Sequence, residues 1–357
     1  MMQDTARCGS APRKVLKHKL QFLLLLIAIA LCLTSADLTA QMGQASAPQD
    51  RTTPLGVGME GYEYPYQVRY FDLVIEGKQA RMAYGDIKPA ANSNGQTVLL
   101  LHGRDFYGAY WDNTIRFLTK SGYRVIVPDQ IGFGKSTKPN IHYSFQRLAY
   151  NTKLLLDELG IEYCAVVGHS MGGMLATRFA LMYPSTTTRL ILENPLGLED
   201  YREHVPYRTV EQWYQYVLGW TERSIRAVHE SYFVNWNEKY SEYAYVQVRW
   251  SLGADYPRLA WVAALTFDMI YTQPVCHEFS KLQVPTLVYC GAEDRAFLGR
   301  DFLPDSTAAK LGEIPRLAGR AVDSIPDGEL RLLKDAGHIP HLESPAQFHI
   351  ELLTFLK

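Results

Sequence analysis

The chain has 357 residues, 20% charged and 47% hydrophobic, with 26 Gly and 18 Pro. That profile excludes disordered, collagen-like and multi-span membrane chains and leaves material for one large buried core. The formal charge of −1 gives no electrostatic case for nucleic acid as a partner, and five cysteines are too few for a disulfide scaffold.

The first predicted element is an export signal over residues 1–40. Arg7, Arg13, Lys14, Lys17 and Lys19 precede an apolar run from Leu20 to Leu33, followed by the small and polar residues Thr34, Ser35 and Ala36. A basic start, an apolar stretch too short to span comfortably and a small-residue exit read as a secretory signal peptide, cleaved after Ala36 or Ala40. An uncleaved segment would instead be a membrane anchor. The signal carries five basic and two acidic residues, so its loss leaves a more acidic, exported chain, periplasmic or secreted. Cys164, Cys276 and Cys290 then remain, enough for at most one disulfide, and the apolar surroundings of Cys164 and Cys290 point to buried thiols.

Residues 41–66 form an expected flexible lead-in, rich in Gln, Ala, Pro and Gly over 41–60. Two alternating runs, Gln67–Ile75 and Gln79–Ile87, flank Glu76-Gly77-Lys78 and predict a β-hairpin. Strand-like runs follow at Thr97–Leu101, Tyr123–Val127, Cys164–Val167, Arg189–Leu192, Pro285–Cys290 and Glu329–Leu333. Helical spacing falls between them at Tyr110–Lys120, Phe145–Leu159 (with Gly160 as a stop), Gly172–Met182 and, last, Pro345–Leu356. Strands alternating with helices predict an α/β domain around a mostly parallel sheet, built from 67–195 and 280–357. The interval 196–279 breaks the rhythm: it lacks a clear strand and holds five of the six tryptophans. It is expected to be a helical insertion between two core strands.

Four short segments carry the chemistry. Gly168-His169-Ser170-Met171-Gly172 lies between a predicted strand and a helix, the setting of a G-x-S-x-G nucleophile elbow. A tight turn there lifts the Ser170 hydroxyl off the sheet and places a helix N-terminus beneath developing negative charge. A serine needs a base, and the base an orienting acid. His338 follows Gly337 just past the strand Glu329–Leu333, on the carboxyl edge of the sheet where open α/β sheets bind ligands. His341 is its rival, while His169 sits on the elbow in a packing role. Asp294, just beyond Pro285–Cys290, is the expected acid, with Glu193 in reserve after Arg189–Leu192. In the fourth segment, His102-Gly103-Arg104-Asp105, a sharp turn can aim the N–H of Arg104 above Ser170. With the N–H of Met171 it would form an oxyanion hole, and His102 would brace the loop. The Arg104 side chain is left between two roles, meeting substrate charge or pairing with Asp105.

From about residue 68 onward the chain resembles the α/β-hydrolase superfamily. The resemblance rests on His102-Gly103 with Trp111 downstream, Asp129-Gln130-Ile131-Gly132-Phe133-Gly134-Lys135-Ser136, the elbow, Gly291-Ala292-Glu293-Asp294, and Gly337-His338 before Glu343-Ser344-Pro345. It implies a sheet of about eight strands and a helical cap after the sixth. It looks closest to the capped branch that contains small esterases, enol-lactonases, meta-cleavage-product hydrolases and cofactor-free haloperoxidases. Serine at 170 disfavours the branches that use an aspartate nucleophile. Arg104-Asp105-Phe106-Tyr107 departs from the small, glycine-rich segment usual in carbon–carbon hydrolases. The sequence therefore predicts an exported serine hydrolase for a small-molecule carboxylic ester or related acyl bond. Carbon–carbon hydrolysis and low-turnover ligand binding are the alternatives. With no H-E-x-x-H, dinucleotide or P-loop pattern, no cofactor or metal is expected, nor a membrane partner unless the first segment stays uncleaved.

Overall fold

The computed structural model describes residues 52–357, so the expected signal segment lies outside the described residues. The first two strands, β1 (Arg69–Ile75) and β2 (Lys78–Ile87), pair antiparallel with Ile75 opposite Lys78. The two residues between them, Glu76 at φ 51° and Gly77 at φ 73°, both have positive φ. That is the backbone a two-residue hairpin requires to match the strand twist.

Six further strands follow: β3 (Thr97–Leu101), β4 (Arg124–Pro128), β5 (Cys164–His169), β6 (Thr187–Glu193), β7 (Thr286–Gly291) and β8 (Gly328–Leu333). They complete one eight-stranded sheet in the order β1-β2-β4-β3-β5-β6-β7-β8. Only the β1–β2 and β2–β4 pairs are antiparallel; β4 through β8 run parallel. Strands β3 and β5 are almost continuously buried because helices cover both faces, which is why they read as unbroken apolar runs.

Helices α1 (Asp112–Lys120), α2 (Phe145–Glu158) and α3 (Met171–Met182) connect the early strands. The Ser144 hydroxyl caps α2 by accepting the Arg147 N–H at 3.1 Å, and Gly160, at φ 64°, ends it. Between β6 and β7 lie α4 (Val210–Leu218), α5 (Glu222–Glu230), α6 (Ser241–Ser251) and α7 (Tyr256–Thr272), which with their connections form the cap. After β7 come α8 (Asp305–Ala308), α9 (Ile314–Ser324), α10 (Pro340–Glu343) and α11 (Pro345–Leu356). Ile115 and Leu118 of α1 and Phe348 and Leu352 of α11 pack on Val98, Leu100, Val167 and Ile191 on one face of the sheet. The opposite face buries Leu99, Leu101, Val166 and Leu190 in an apolar core that runs on continuously through α2, α3 and α9 to the cap helices α4 and α7.

The latter part of the expected lead-in behaves differently from its composition. Leu55 and Met59 are buried with Tyr107 and the cap residue Val246. The Leu55 N–H donates to the Arg249 carbonyl at 3.0 Å, the Trp250 indole N–H to the Gly56 carbonyl at 3.0 Å, and the Tyr64 hydroxyl to Asp129 at 2.7 Å. Residues 54–66 are thus a strap fixed to both cap and core. Glycine and proline suggested flexibility, but the apolar and tyrosine side chains among them decide the packing. All three described cysteines are free thiols, with Cys164 and Cys290 buried.

Candidate active site

The three side chains expected to cooperate meet at the carboxyl ends of β5, β7 and β8. Ser170 lies between β5 and α3 at φ 57°, ψ −122°, a region that non-glycine residues avoid and that costs about 1–3 kcal/mol. Its neighbours permit the turn only as glycines. A Cβ on Gly168 would lie 2.1 Å from the Gly172 carbonyl oxygen, and one on Gly172 would lie 2.3 Å from that of Leu101. Further bonds brace the strained residue: the Ser170 N–H donates to the Glu193 carbonyl at 3.1 Å, and its carbonyl accepts from Leu196 at 3.1 Å.

His338 Nε2 faces Ser170 Oγ at 3.0 Å and its Nδ1 faces Asp294 Oδ2 at 2.8 Å. The carboxylate can only accept, so it sets Nδ1–H as donor and leaves Nε2 free to receive the serine proton. All three residues are buried. Asp294 is held in turn by the Asn194 amide, which donates to Oδ2 at 2.7 Å, and by the Ala296 N–H, which donates to Oδ1 at 2.8 Å.

Glu193, the reserve acid, is engaged elsewhere. Its carboxylate accepts both the backbone N–H (2.8 Å) and Nδ1–H (3.0 Å) of His341, whose ring stacks on Trp111 at 4.1 Å. Burial pushes the Glu193 carboxyl up to about 7, and burial drives His341 well below the usual histidine value. This second, fully buried pair anchors the end of the loop that carries His338.

His169 braces the same loop from the elbow side. Its Nε2–H donates to the His338 carbonyl at 2.8 Å, so Nδ1 accepts from the Tyr110 hydroxyl at 3.0 Å. The Tyr110 oxygen in turn accepts the Gly103 N–H at 3.2 Å. His102 accepts the Gln130 N–H at Nε2 (3.0 Å) and donates from Nδ1 to the Gly103 carbonyl (2.8 Å), which makes it a loop brace. Asp129 gathers the N–H groups of Gly108 (2.6 Å) and Lys135 (2.7 Å), ordering the loop that follows β4.

Gly103 places the Arg104 turn against the serine: a Cβ on it would approach Ser170 Cβ to 3.2 Å. Met171 opens α3, so its N–H is among the donors that lack an intrahelical acceptor. The Arg104 side chain pairs with Asp105 and lies over the Phe267 ring at 4.1 Å. It also faces a cleft of about 420 Å³ that reaches Ser170 and His338.

The cap closes this cleft with Trp213, Tyr216, Trp220 and Phe267, whereas Trp236, Trp250 and Trp261 pack elsewhere. One cap residue reaches the chemistry itself. Tyr232 accepts the His338 N–H at its carbonyl (2.7 Å) and donates its hydroxyl to Asp105 (2.6 Å). Sequence reasoning missed Tyr232 and Asn194 as partners of the site, and of Asp105 it foresaw the pairing with Arg104 but not the bond to Tyr232. Only Asn194 had a local signal, its place at the end of β6. Among the described residues no group of three or more His, Cys, Asp or Glu could hold a metal ion.

Comparison with known proteins agrees with this architecture. A family model described as alpha/beta hydrolase fold matches residues 96–345. A crystal structure of a "probable hydrolytic enzyme" from Pseudomonas aeruginosa PAO1 superposes with TM-score 0.84 and 42% identity, covering 86% of this chain and all of that one. A 2-hydroxy-6-oxononadienedioate/2-hydroxy-6-oxononatrienedioate hydrolase of Burkholderia vietnamiensis is 26% identical over 297 residues, 81% of this chain and 95% of its own. A meta-cleavage product hydrolase from Pseudomonas fluorescens IP01 shares the fold at TM-score 0.54 and 23% identity, over 80% of this chain and 97% of that one. With its eight-stranded sheet and a family match over most of its length, the chain belongs to the α/β-hydrolase family.

Proposed function

We propose that this hydrolase uses Ser170 as a nucleophile on a carboxylic ester or related acyl bond. The observation that carries the reading is the continuous chain Ser170 Oγ, His338, Asp294, at 3.0 and 2.8 Å, on a strained elbow. Ser170 attacks the carbonyl while Nε2 of His338 takes its proton, and Asp294 stabilises the resulting imidazolium. The backbone N–H groups of Arg104 and Met171 receive the oxyanion, each such donor being worth about 10²–10³ in rate. His338 then returns the proton to the leaving group, and water, activated by the same imidazole, releases the acyl group from Ser170. The test is hydrolysis of short p-nitrophenyl esters together with labelling by a fluorophosphonate. Wild type should turn over ester and gain one label; Ser170→Ala should do neither, and full turnover by that variant refutes the reading.

A second reading, carbon–carbon bond hydrolysis, draws on the relatives whose names give that class of substrate. The bulky Arg104-Asp105-Phe106-Tyr107 segment favours the ester reading. Rates on a p-nitrophenyl ester and on a vinylogous diketone, compared in one preparation, separate the two. The segment 1–40 adds export, to periplasm or medium, tested by N-terminal sequencing of protein recovered outside the cytoplasm.

A further inference from the structure

Arg104 borders two cavities. Its side chain, with Asp105 and Trp220, forms a wall of the cleft that reaches Ser170 and also a wall of a smaller chamber of about 80 Å³ beyond it. On the same measure a water needs about 10–15 Å³, so the chamber has room for several non-hydrogen atoms. The remaining walls are mostly apolar or aromatic, Phe133, Trp250, Leu259 and Ala263 among them, with the neutral polar side chains of Gln247 and Thr266 and one further charged residue, Lys138.

Lys138 is only 2% exposed. Its ammonium donates to the carbonyls of Gly134 (2.5 Å) and Ser136 (3.1 Å) and lies 5.3 Å from the centre of the Trp250 ring. Two of its three N–H donors are thereby used. Among the described residues no carboxylate stands within ion-pair distance of it. Asp129, the acidic group with the largest influence on it, has its oxygens occupied by the N–H groups of Gly108 and Lys135 and the Tyr64 hydroxyl. Burial lowers this lysine to about 7. Holding two loop carbonyls requires a donor, not a full charge. A buried cation facing an apolar chamber, with a donor to spare, is the arrangement that an arriving anion stabilises.

We propose that the chamber behind Arg104 is a binding site for a carboxylate at the far end of the substrate's acyl group, with Lys138 as the recognising residue. This rests on the acyl-transfer reading above. The acyl side is assigned because the leaving group departs first and needs the open cleft, whereas the acyl group stays on Ser170 until water releases it. The Arg104 guanidinium, stacked on Phe267, borders both spaces and adds a second cation beside the acyl group. The preferred substrates are therefore monoesters of short dicarboxylic acids.

The experiment compares p-nitrophenyl hydrogen glutarate with p-nitrophenyl valerate, which differ in a terminal carboxylate against a methyl group. The full-length protein should favour the glutarate by tenfold or more in kcat/KM. Lys138→Met should bring that ratio to one or below, and Lys138→Arg should restore part of it. A wild-type preference for valerate, or a preference that survives Lys138→Met, overturns the proposal. A binding arm does not depend on turnover: monomethyl glutarate is titrated against tryptophan fluorescence in Ser170→Ala. Saturable binding is expected there, and should be lost on adding Lys138→Met or on filling the chamber with Ala263→Phe. If that binding occurs but no ester is hydrolysed, the chamber stands and the hydrolase reading falls. If no Lys138-dependent binding occurs, the proposal falls even when valerate is hydrolysed.

Discussion

Tyr232, a cap residue, accepts the backbone N–H of His338 at 2.7 Å, so the base of the proposed mechanism is hydrogen-bonded directly to the cap. The same tyrosine sets its ring beside the imidazole, tilted by 38° at 5.0 Å between centroids, and bonds Asp105 beside the Arg104 turn. Tyr232→Phe keeps the carbonyl contact and removes only the hydroxyl. Asp105 loses one of its partners while buried, at a cost of about 1–3 kcal/mol. The variant should melt several degrees lower and show a raised KM for esters, measured by thermal unfolding and steady-state kinetics. An unchanged melt would show that the hydroxyl contributes nothing to stability.

The two acidic residues at neighbouring strand ends should separate cleanly. Asp294→Asn destroys the acceptor that sets the His338 tautomer, and its kcat should fall by about 10⁴-fold. Glu193→Gln leaves the His338–Asp294 contact in place, so kcat should stay within a factor of about ten of wild type. Its effect should appear instead as a lower unfolding midpoint, because the buried His341 loses the carboxyl oxygens that accept its ring and backbone N–H groups. Equal losses of kcat in both variants would reassign the acid.

Two glycines offer opposite tests of backbone space. In Gly172→Ala the new methyl would meet the carbonyls of Leu101 and His102 at 2.3 and 2.7 Å, and neither backbone can withdraw without moving β3. The cost should be about 3 kcal/mol or more, read as lost soluble yield or a lower urea midpoint. A methyl group added at Gly319, inside α9, would meet nothing within 4 Å. Gly319→Ala should therefore stabilise by about 0.5–1 kcal/mol.

Acid should destabilise the fold through its buried histidines. Burial lowers His102, and it lowers His169 and His341 further; it takes His229 down to about 4. Each binds a proton more readily when unfolded, at an ordinary value near 6.5. The stability it contributes is therefore full above that value and is lost as pH falls through the folded one. For His229 the loss at pH 5.5 is about 1 kcal/mol. Melting temperatures at pH 7.5 and 5.5 should differ less in His229→Gln than in wild type. Glu193 runs the other way: its raised carboxyl favours the folded state at low pH, and that contribution is lost as pH rises through about 7.

The site residues that could be found in the sequence share one property: each marks a strand end with a residue whose chemistry is local. Ser170 between glycines, His338 after Gly337 and Asp294 beyond β7 are of this kind. What stayed hidden depends on distant partners. Glu193 ends β6 and Asp294 lies just beyond β7, both at the same edge of adjacent strands, and only the three-dimensional arrangement sends one to His341 and the other to His338. Tyr232 is one of several tyrosines between β6 and β7, and the carbonyl contact it makes to His338 is a main-chain property that no side-chain pattern encodes. The strap was misread for a related reason. Its composition suggested a linker, yet Leu55 and Met59 are buried by residues far along the chain.

That strap also sets where the protein can be trimmed. A chain begun at residue 67, where the hairpin invites a boundary, would lose the groups that cover Tyr107 and Val246 and the hydroxyl that Tyr64 gives to Asp129. It would expose apolar surface at the seam between cap and core and loosen the loop after β4. The smallest well-behaved unit therefore begins before Leu55, and affinity tags or fusion partners belong upstream of that residue or at the other end of the chain.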